Sequence, residues 1–241
     1  MATLKIYADR RSQPTRAVIL FCKVAKQSTN NYCRVNGIAF EEVETKLFSN
    51  DLQTPEYYAI NPLKKLPAIA HGEFTLFESH SILMYLACAY HVPDHWYPTD
   101  LCKRAKLQSV LDWHHTNLRA GAMGYLVNTI LAPFFGEAPN LEGAAECERK
   151  LVESFSTIEK VWLKGDAKFL LGNDKPSIAD LSLVSEIMQL HMLSEEERCR
   201  MIGPYKKVQH WIANVKEETN PHFDEVHKYL FDVIASFKQN A

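Results

Sequence analysis

The first third of the chain mixes short stretches of alternating hydrophobic and polar residues with stretches of helical spacing. Strand-like stretches lie at residues 4–7, 40–44, 68–70 and 74–77, and helical stretches lie at residues 16–24 and from residue 78 onward. The last two strand-like stretches flank His71, Gly72 and Glu73, a composition typical of a hairpin turn. The order of these elements predicts a small mixed sheet with helices packed on it.

The pattern changes at residues 91–99, which hold two prolines and show no period. No strand-like pattern follows them, and apolar residues recur at helical spacing instead. Asp100 stands where an N-cap is expected, and Ser177 and Asp180 have the spacing of a capping box. We therefore predict an α/β domain over residues 1–88, a linker over residues 89–99 and an all-helical domain over residues 100–241.

The composition is that of a globular protein. Hydrophobic residues make up 46% and charged residues 23% of the 241 residues, and the formal net charge is −2. This balance provides no general attraction to nucleic acid or to an anionic membrane, so neither is expected as a partner. Apolar stretches are interrupted before the roughly 20 residues needed to cross a bilayer, and we expect neither a membrane segment nor a signal peptide.

The cysteines and histidines do not show the spacing of a metal site. The six cysteines, at positions 22, 33, 88, 102, 147 and 199, include no C-x-x-C pair, which argues against a zinc site and a dithiol redox motif. His114 and His115 are neighbours in a helical stretch, so their side chains leave the helix about 100° apart and are not expected to bind the same ion. The sequence therefore predicts no metal site, and it favours a reducing, cytoplasmic location.

Ser12 lies in the turn between the first predicted strand and the first predicted helix. Pro14 suits the first helical position because its missing N–H would have no partner there, and Ser12 or Gln13 is then the cap. The unpaired N–H groups at the start of a helix favour an anion beside Ser12. If that anion is a thiolate, a hydroxyl that donates to the sulfur lowers the pKa of the thiol and keeps it nucleophilic. The alternative is that Ser12 only closes the turn.

Two other short stretches suggest a site for a small peptide. Pro67 belongs at the start or the edge of a strand, which leaves Leu66 extended and able to offer its backbone to an extended peptide. Ser79, with the N–H groups at the start of its helix, suits a carboxylate, and Glu78 suits an ammonium. Together Glu78 and Ser79 would recognise an amino-acid head group. A plain loop proline and ordinary helix capping are the alternatives.

Short motifs spread over nearly the whole chain form a recognisable set. In the first part they are residues 7–10 (YADR), 12–14 (SQP), 16–17 (RA), 60–63 (INPL), 65–69 (KLPAI), 76–80 (LFESH) and 82–83 (IL). In the second part they are residues 94–98 (DHWYP), 111–119 (LDWHHTNLR), 168–172 (KFLLG) and 176–180 (PSIAD). The ordered set resembles the glutathione transferases, and specifically the theta class of plants.

The resemblance implies a thioredoxin-like N-terminal domain joined to an all-helical C-terminal domain. It also implies a homodimer that binds glutathione in the first domain and an apolar electrophile between the two domains. In this family the serine that matches Ser12 donates to the sulfur of glutathione. Gln13 is expected beside it in the glutathione site.

The remaining parts of glutathione are assigned by the same resemblance. The residues that match Lys65 and Leu66 hold the cysteinyl and glycyl parts, and the bond before Pro67 is expected to be cis. The residues that match Glu78 and Ser79 hold the γ-glutamyl head.

Arg119 lies on the helix that faces the cleft in this class. There an arginine can help to polarise the thiolate. The alternative for Arg119 is a solvent-facing salt bridge.

Leu52 departs from the family pattern. Theta enzymes often carry a glutamine or histidine that reaches the glycyl carboxylate just before an S/T-P-E stretch, which here is residues 54–56. Leu52 stands at that place, and its side chain cannot form a hydrogen bond. Either Gln53 substitutes for the missing contact, or binding of glutathione is weaker by roughly 1.5–3 kcal/mol, the value of one hydrogen bond to a charged group.

An insertion of about eleven residues, from Ala25 to Val35, is the second departure. Such a length is close to three helical turns, which would extend the first helix without rotating its face. Residues 27–31 (QSTNN) are rich in turn formers, which favours an exposed excursion at the end of the helix far from Ser12. The site is expected to survive in either case, and the alternative is an altered product with impaired folding.

These observations predict an enzyme that ionises the thiol of glutathione and delivers it to a hydrophobic electrophile. Reduction of organic hydroperoxides is expected alongside conjugation, with glutathione as co-substrate and no other cofactor. Candidates for the electrophile pocket are Met123, Tyr125, Leu126 and Phe134. The alternative is a non-catalytic ligand-binding or interaction protein on the same fold. A disulfide or dehydroascorbate reductase is not favoured, because it normally needs a cysteine in place of Ser12.

Overall fold

The computed structural model describes residues 3–25 and 37–239 of the chain. The first part contains β1 (Leu4–Ala8), α1 (Gln13–Val24), β2 (Glu41–Glu44), a 3-10 turn (Asn50–Gln53), α2 (Pro55–Ile60), β3 (Ala68–His71), β4 (Phe74–Phe77) and α3 (Ser79–Ala89). The second part contains α4 (Leu101–Thr116), α5 (Leu118–Leu126), α6 (Ala132–Phe134), α7 (Leu141–Thr157), α8 (Ile178–Met188), α9 (Glu195–Ile202), α10 (Lys206–Thr219) and α11 (His222–Gln239). The expected fold class, an α/β part followed by helices, is confirmed.

Short irregular turns interrupt the helical part. They are π-helical at Val127–Leu131 and Ile158–Trp162, and 3-10 at Leu170–Gly172 and Gln189–Met192. Among the described residues, no helix is long and apolar enough to cross a lipid bilayer. The helix α3 ends at Ala89 and α4 begins at Leu101, and the division into two domains and a linker stays a prediction.

The four strands form one mixed sheet in the order β2-β1-β3-β4. Strand β1 runs parallel to β2, with Lys5 opposite Glu41, and antiparallel to β3. A parallel pair needs a crossover connection, and α1 lies within the segment that joins β1 to β2. The hairpin between β3 and β4 turns at Gly72, whose φ of +65° suits a residue without a Cβ. The sheet therefore brings the turn after β1 and the loop before β3 to the same end.

Helix α1 is buried on almost every side. It packs on α3, and on α8 and α11 of the helical part. Val18, Ile19 and Phe21 are completely buried and share one core with β1. The ring of Phe21 contacts that of Trp96 in the connecting segment, edge to face, with centroids 5.6 Å apart. Because one core spans both parts of the chain, α1 is held in a fixed position between them.

The predicted insertion from Ala25 to Val35 lies outside the described residues except for Ala25. Helix α1 ends at Val24, and Ala25 has extended backbone angles. The described chain resumes at Gly37, and the Ile38 N–H donates to the Cys22 carbonyl at 2.6 Å. A Cβ at Gly37 would lie 2.6 Å from that same carbonyl oxygen. The chain thus leaves and rejoins the fold at the end of α1 that is far from Ser12.

The predicted capping box at the start of α8 is present and completely buried. One carboxylate oxygen of Asp180 accepts hydrogen bonds from Leu170 N and Trp211 Nε1, at 2.9 and 2.8 Å. The other accepts from the backbone N–H and the hydroxyl of Ser177, both at 2.7 Å. Asp180 therefore joins α8, α10 and the turn at Leu170 to one another.

We expect Asp180→Ala to lower the free energy of unfolding by about 4 kcal/mol, because it leaves several buried donors without an acceptor. The matched control is Ser194→Ala at the capping box that starts α9, which is exposed. That change should cost about 1 kcal/mol. Urea denaturation of both variants and the wild type gives the two values. Equal losses would contradict the role of Asp180.

Candidate functional site

Ser12 is the N-cap of α1. Its backbone is extended (φ −76°, ψ 124°), and its hydroxyl accepts a long hydrogen bond of 3.4 Å from Thr15 N. The helix begins at Gln13, so Pro14 occupies its second position rather than the predicted first. Accepting from Thr15 leaves the hydrogen of the Ser12 hydroxyl free to donate to a ligand.

Asp9 organises the turn that carries Ser12. Its backbone carbonyl accepts from Ser12 N at 2.9 Å. Its carboxylate accepts from Arg11 N at 2.9 Å and from Leu47 N at 2.8 Å. Although burial alone would raise it, the pKa of Asp9 is lowered by its hydrogen bonds to Arg11 and Leu47. The charged carboxylate thus holds the loop after β2 against the turn.

Arg16 ties the same turn to the helical part. Its guanidinium is completely buried and donates to the carbonyls of Arg10 and Arg11, at 2.9 and 3.0 Å. It also donates to the Ser185 carbonyl on α8 at 3.2 Å and to Gln189 Oε1 at 2.7 Å. Burial lowers the pKa of Arg16 to about 9, so the side chain remains charged at neutral pH.

All the predicted catalytic and glutathione-binding residues line two adjoining cavities between the two parts of the chain. Ser12, Gln13, Leu52 and Gln53 line the larger cavity, of about 640 Å³. Pro67, Glu78 and Ser79 line the smaller one, of about 180 Å³. Lys65, Leu66 and Arg119 line both cavities. The structure brings these residues together, and their individual roles stay predictions.

Two features shape the smaller cavity. The Leu66–Pro67 peptide bond is cis, as the resemblance implies. Glu78 has a φ of +69°, a region that non-glycine residues rarely adopt. The Glu78 side chain makes no capping hydrogen bond to α3, and Ser79, the first residue of that helix, borders the cavity. The start of α3 is thus presented to a ligand in the cavity.

Two side-chain hydrogen bonds fix the loop before β3. The carbonyl of Lys65 accepts from Tyr57 Oη at 2.6 Å and from Asn61 Nδ2 at 2.8 Å. Leu52 packs into a small apolar cluster that includes Tyr57 and Leu66. Leu52 therefore contributes to the wall of the site, and its departure from the family pattern stays a prediction. Short local patterns did not indicate α2, which supplies Tyr57 and has only 6 residues.

Gln53 lies beside Leu52 at the rim of the larger cavity. Its carboxamide oxygen accepts from Lys64 Nζ at 2.7 Å. The amide nitrogen is the remaining polar group of this side chain and is a donor. Gln53 therefore has the chemistry to bind a carboxylate in the place where the side chain of Leu52 cannot.

Arg119 is paired with a buried acid. Its Nη1 lies 2.7 Å from Oε2 of Glu186 on α8, and its side chain is one-third exposed, at 32%. Burial alone would raise the pKa of Glu186, but the nearby ring of His114 and the charge of Arg119 lower it. Arg119 therefore borders the cleft, and its salt bridge is to a buried acid instead of a solvent-facing one. Its role toward a thiolate stays a prediction. Local sequence patterns did not identify Glu186, although it is the one charged residue among positions 181–188.

The wall of the larger cavity corrects part of the predicted electrophile pocket. Met123 and Phe134 line it as expected, whereas Tyr125 and Leu126 do not. Tyr125 is buried and donates to Glu197 at 3.1 Å, and Leu126 is completely buried. Tyr125, two residues beyond Met123, lies on a different face of α5, and Leu126 packs in the core instead of reaching the cavity.

Residues distant in sequence complete the apolar wall. They are Phe48, Leu131, Met192, Leu230 and Val233. Phe48 follows β2, and its ring lies 5.0 Å from that of Phe135, edge to face. The local sequence pattern could not place them here, because they meet only through the tertiary fold.

Comparison with protein families supports the resemblance. Residues 27–88 match the family model described as glutathione S-transferase, N-terminal domain. Residues 104–230 match the model for the C-terminal domain. Glutathione S-transferase T1 of Arabidopsis thaliana is 55% identical over 240 residues, which cover 99% of this chain and 94% of the relative. Glutathione S-transferase T2 of the same plant is 55% identical over 229 residues, and this chain spans 37% of its length.

Solved structures of glutathione transferases have a similar fold. Human glutathione transferase theta-2, in complex with glutathione and an unknown ligand, has a TM-score of 0.84 and 30% identity. The match covers 99% of this chain and 91% of that one. The apo form of human glutathione S-transferase T1-1 has a TM-score of 0.81 and 32% identity, covering 94% of this chain and 88% of that one.

The pairing of Arg119 with Glu186 is testable through Arg119→Ala, Glu186→Gln and the double variant. We expect Arg119→Ala to lower the free energy of unfolding at pH 7 by about 2 kcal/mol, less than the 3–5 kcal/mol of a fully buried pair because Arg119 is partly exposed. The double variant should lose less than the sum of the single losses. Additive losses would contradict the pairing. The exposed pair of Lys228 and Asp232 is the control, with a coupling of about 0.3–0.5 kcal/mol.

The stabilisation that the pair of Arg119 and Glu186 provides depends on pH. The pKa of Glu186 lies below its ordinary value of 4.5 in the folded chain. Its stabilisation is therefore complete above the unfolded pKa and is lost as the pH falls through the folded pKa. The difference in free energy of unfolding between wild type and Glu186→Gln should therefore shrink as the pH falls from the unfolded pKa of Glu186 through its folded pKa.

Proposed function

Since the chain belongs to the theta class of the glutathione S-transferase family, we propose that it ionises the thiol of glutathione and transfers it to hydrophobic electrophiles. One observation carries the proposal. The hydroxyl of Ser12, at the start of α1, opens into the same cavity as Lys65, Leu66 and Arg119. A hydrogen-bond donor, the positive end of a helix and a guanidinium thus border one space, and each favours a thiolate there.

In the proposed binding mode, glutathione runs between the two cavities. The γ-glutamyl head occupies the smaller cavity, where Glu78 takes its ammonium and Ser79 with the first N–H groups of α3 takes its carboxylate. The peptide backbone follows Lys65 and Leu66. The sulfur then reaches Ser12, which is consistent with the lining that the two cavities share.

Catalysis is mainly stabilisation of the thiolate and positioning of the two reactants. In conjugation, the sulfur attacks an electrophilic carbon and forms a thioether, while the leaving group departs with its electron pair. In peroxide reduction, the sulfur attacks one peroxide oxygen and the O–O bond breaks, giving an alcohol and glutathione sulfenic acid. A second glutathione then displaces water from the sulfenic sulfur and yields the disulfide. The proposed peroxide reaction consumes two thiols and needs no cysteine of the chain.

The electrophile site is the larger cavity. Its apolar wall, which includes Met123, Leu131 and Met192, suits hydrophobic substrates and organic hydroperoxides. We also propose a homodimer that works in the cytoplasm. Family membership supports the dimer. The cysteines at positions 22, 88, 102, 147 and 199 are free, which suits a reducing compartment.

The proposal is tested with Ser12→Ala in two assays, conjugation of glutathione to an aryl halide and reduction of cumene hydroperoxide. Loss of one donor to the reacting anion should lower kcat/KM by about 10²–10³. The matched control is Ser194→Ala, which also removes a capping serine and costs about 1 kcal/mol of stability but lies outside both cavities.

Ser194→Ala should leave both rates unchanged. Equal rates for Ser12→Ala and wild type would contradict the role of Ser12. Absence of the peroxide reaction in an otherwise active enzyme would contradict that part of the proposal alone.

Gln53 is proposed to bind the glycyl carboxylate in place of Leu52. Removing this hydrogen bond in Gln53→Ala should raise KM for glutathione at least about tenfold while leaving kcat unchanged, because the contact is the same in the ground and transition states. Gln53→Glu keeps an acceptor for Lys64 but loses the donor and adds a repelling charge, so KM should rise further. A KM that neither variant changes would contradict the assignment.

A further inference from the structure

Three histidine side chains from two helices meet beside the smaller cavity. His80 lies in the first turn of α3, and His114 and His115 lie in the last turn of α4. Each offers a ring nitrogen, and these nitrogens all lie within 4.8 Å of one another. In the part of the chain that the structure describes, this is the one group of three or more such side chains with metal-binding spacing.

The sequence predicts that His114 and His115 do not share an ion, but this prediction considers only the two neighbouring residues. The angle of about 100° applies to the directions in which neighbouring side chains leave a helix. Both rings approach His80, whose centroid is 5.2 Å from that of His114 and 4.3 Å from that of His115. His80 comes from a different helix, so no local spacing in the sequence could indicate it.

The distances suit a transition-metal cation. Zinc binds histidine nitrogen at about 2.0–2.1 Å, which places two nitrogens of a tetrahedral site about 3.4 Å apart. His80 Nε2 and His114 Nδ1 are already 3.2 Å apart, joined by a hydrogen bond whose proton a bound cation would replace. His115 is exposed, so a change of its side-chain torsions can bring its nitrogen closer without disturbing the core.

The surroundings supply an outer shell. The second ring nitrogen of His114 lies 3.5 Å from Oε2 of the buried Glu186 and has no hydrogen-bond partner among the described residues. A slightly closer approach would give the arrangement in which a carboxylate orients a metal-bound histidine. Oε1 of Glu186 has no hydrogen-bond partner among the described residues. Glu78 and Glu186 favour a positive charge at His115, whereas Arg119 opposes one there and at His80.

We propose that His80, His114 and His115 bind a divalent transition-metal cation of the zinc type, with Glu186 orienting His114 from behind. Imidazole ligands suit zinc, copper and nickel rather than magnesium or calcium. His115 borders the smaller cavity together with Glu78 and Ser79, so the ion can enter from that side. A fourth coordination position then faces the cavity, where water or an anion completes the site.

The test is calorimetric titration of Zn²⁺ into the full chain after treatment with a chelator. Wild type should bind one ion per chain, and His115→Ala should weaken the affinity at least about tenfold through the loss of one of three ligands. His210→Ala, which removes another exposed histidine on α10, is the matched control and should bind as wild type does. His80→Ala, checked for folding by circular dichroism, should bind as weakly as His115→Ala.

Titration with Co²⁺ identifies the ligands. Binding by imidazoles gives visible bands of a low-coordinate cobalt site without a thiolate charge-transfer band in the near ultraviolet, and His115→Ala should abolish those bands. Equal Zn²⁺ affinity of wild type and His115→Ala would overturn the proposal. A thiolate-to-cobalt band in the wild type would also overturn it, because it places the ion on a cysteine.

Discussion

The buried guanidinium of Arg16 sets the relation between the two parts of the chain. It donates both to the turn that carries Ser12 and to the end of α8 and the turn after it. A buried cation is unfavourable unless acceptors surround it, so the turn and α8 are held close enough to supply them. The same constraint places the start of α1 at the boundary between the sheet and the helices. The cavity that contains Ser12 exists because these two elements meet there.

Helix α8 contributes more than packing. Its first turn is fixed by Asp180, and its last turn presents Glu186 beneath the cavity. Glu186 holds Arg119, so a guanidinium is kept at the cleft opposite an apolar part of its wall. A cavity with an apolar wall, a fixed guanidinium and a hydroxyl at a helix start suits a reaction in which an anionic sulfur meets an apolar partner. Helix α8 thus contributes to stability through Asp180 and to the proposed chemistry through Glu186.

Local patterns predicted the elements that depend on near neighbours in the chain. The strands, the hairpin, the cap at Ser12 and the buried capping box at Asp180 follow from alternation and from residue types at short spacing. Partners from distant segments could not be read in this way. The link from Arg16 to α8, the acid behind Arg119 and the third histidine, His80, each join residues that meet only after folding. The insertion after α1 stays a prediction, because residues 26–36 lie outside the described part of the chain.

The proposed chemistry requires that the start of α1 and the hydroxyl of Ser12 stabilise a thiolate. Its most direct test is the pKa of the thiol of glutathione bound to the wild-type protein, measured from the ultraviolet absorbance of the thiolate as the pH is raised. An ordinary thiol has a pKa of about 8.5, and a shift of one pKa unit corresponds to about 1.4 kcal/mol. We expect the pKa of the bound thiol to lie at least about one unit below the ordinary value. A bound thiol that titrates at its ordinary pKa would contradict it.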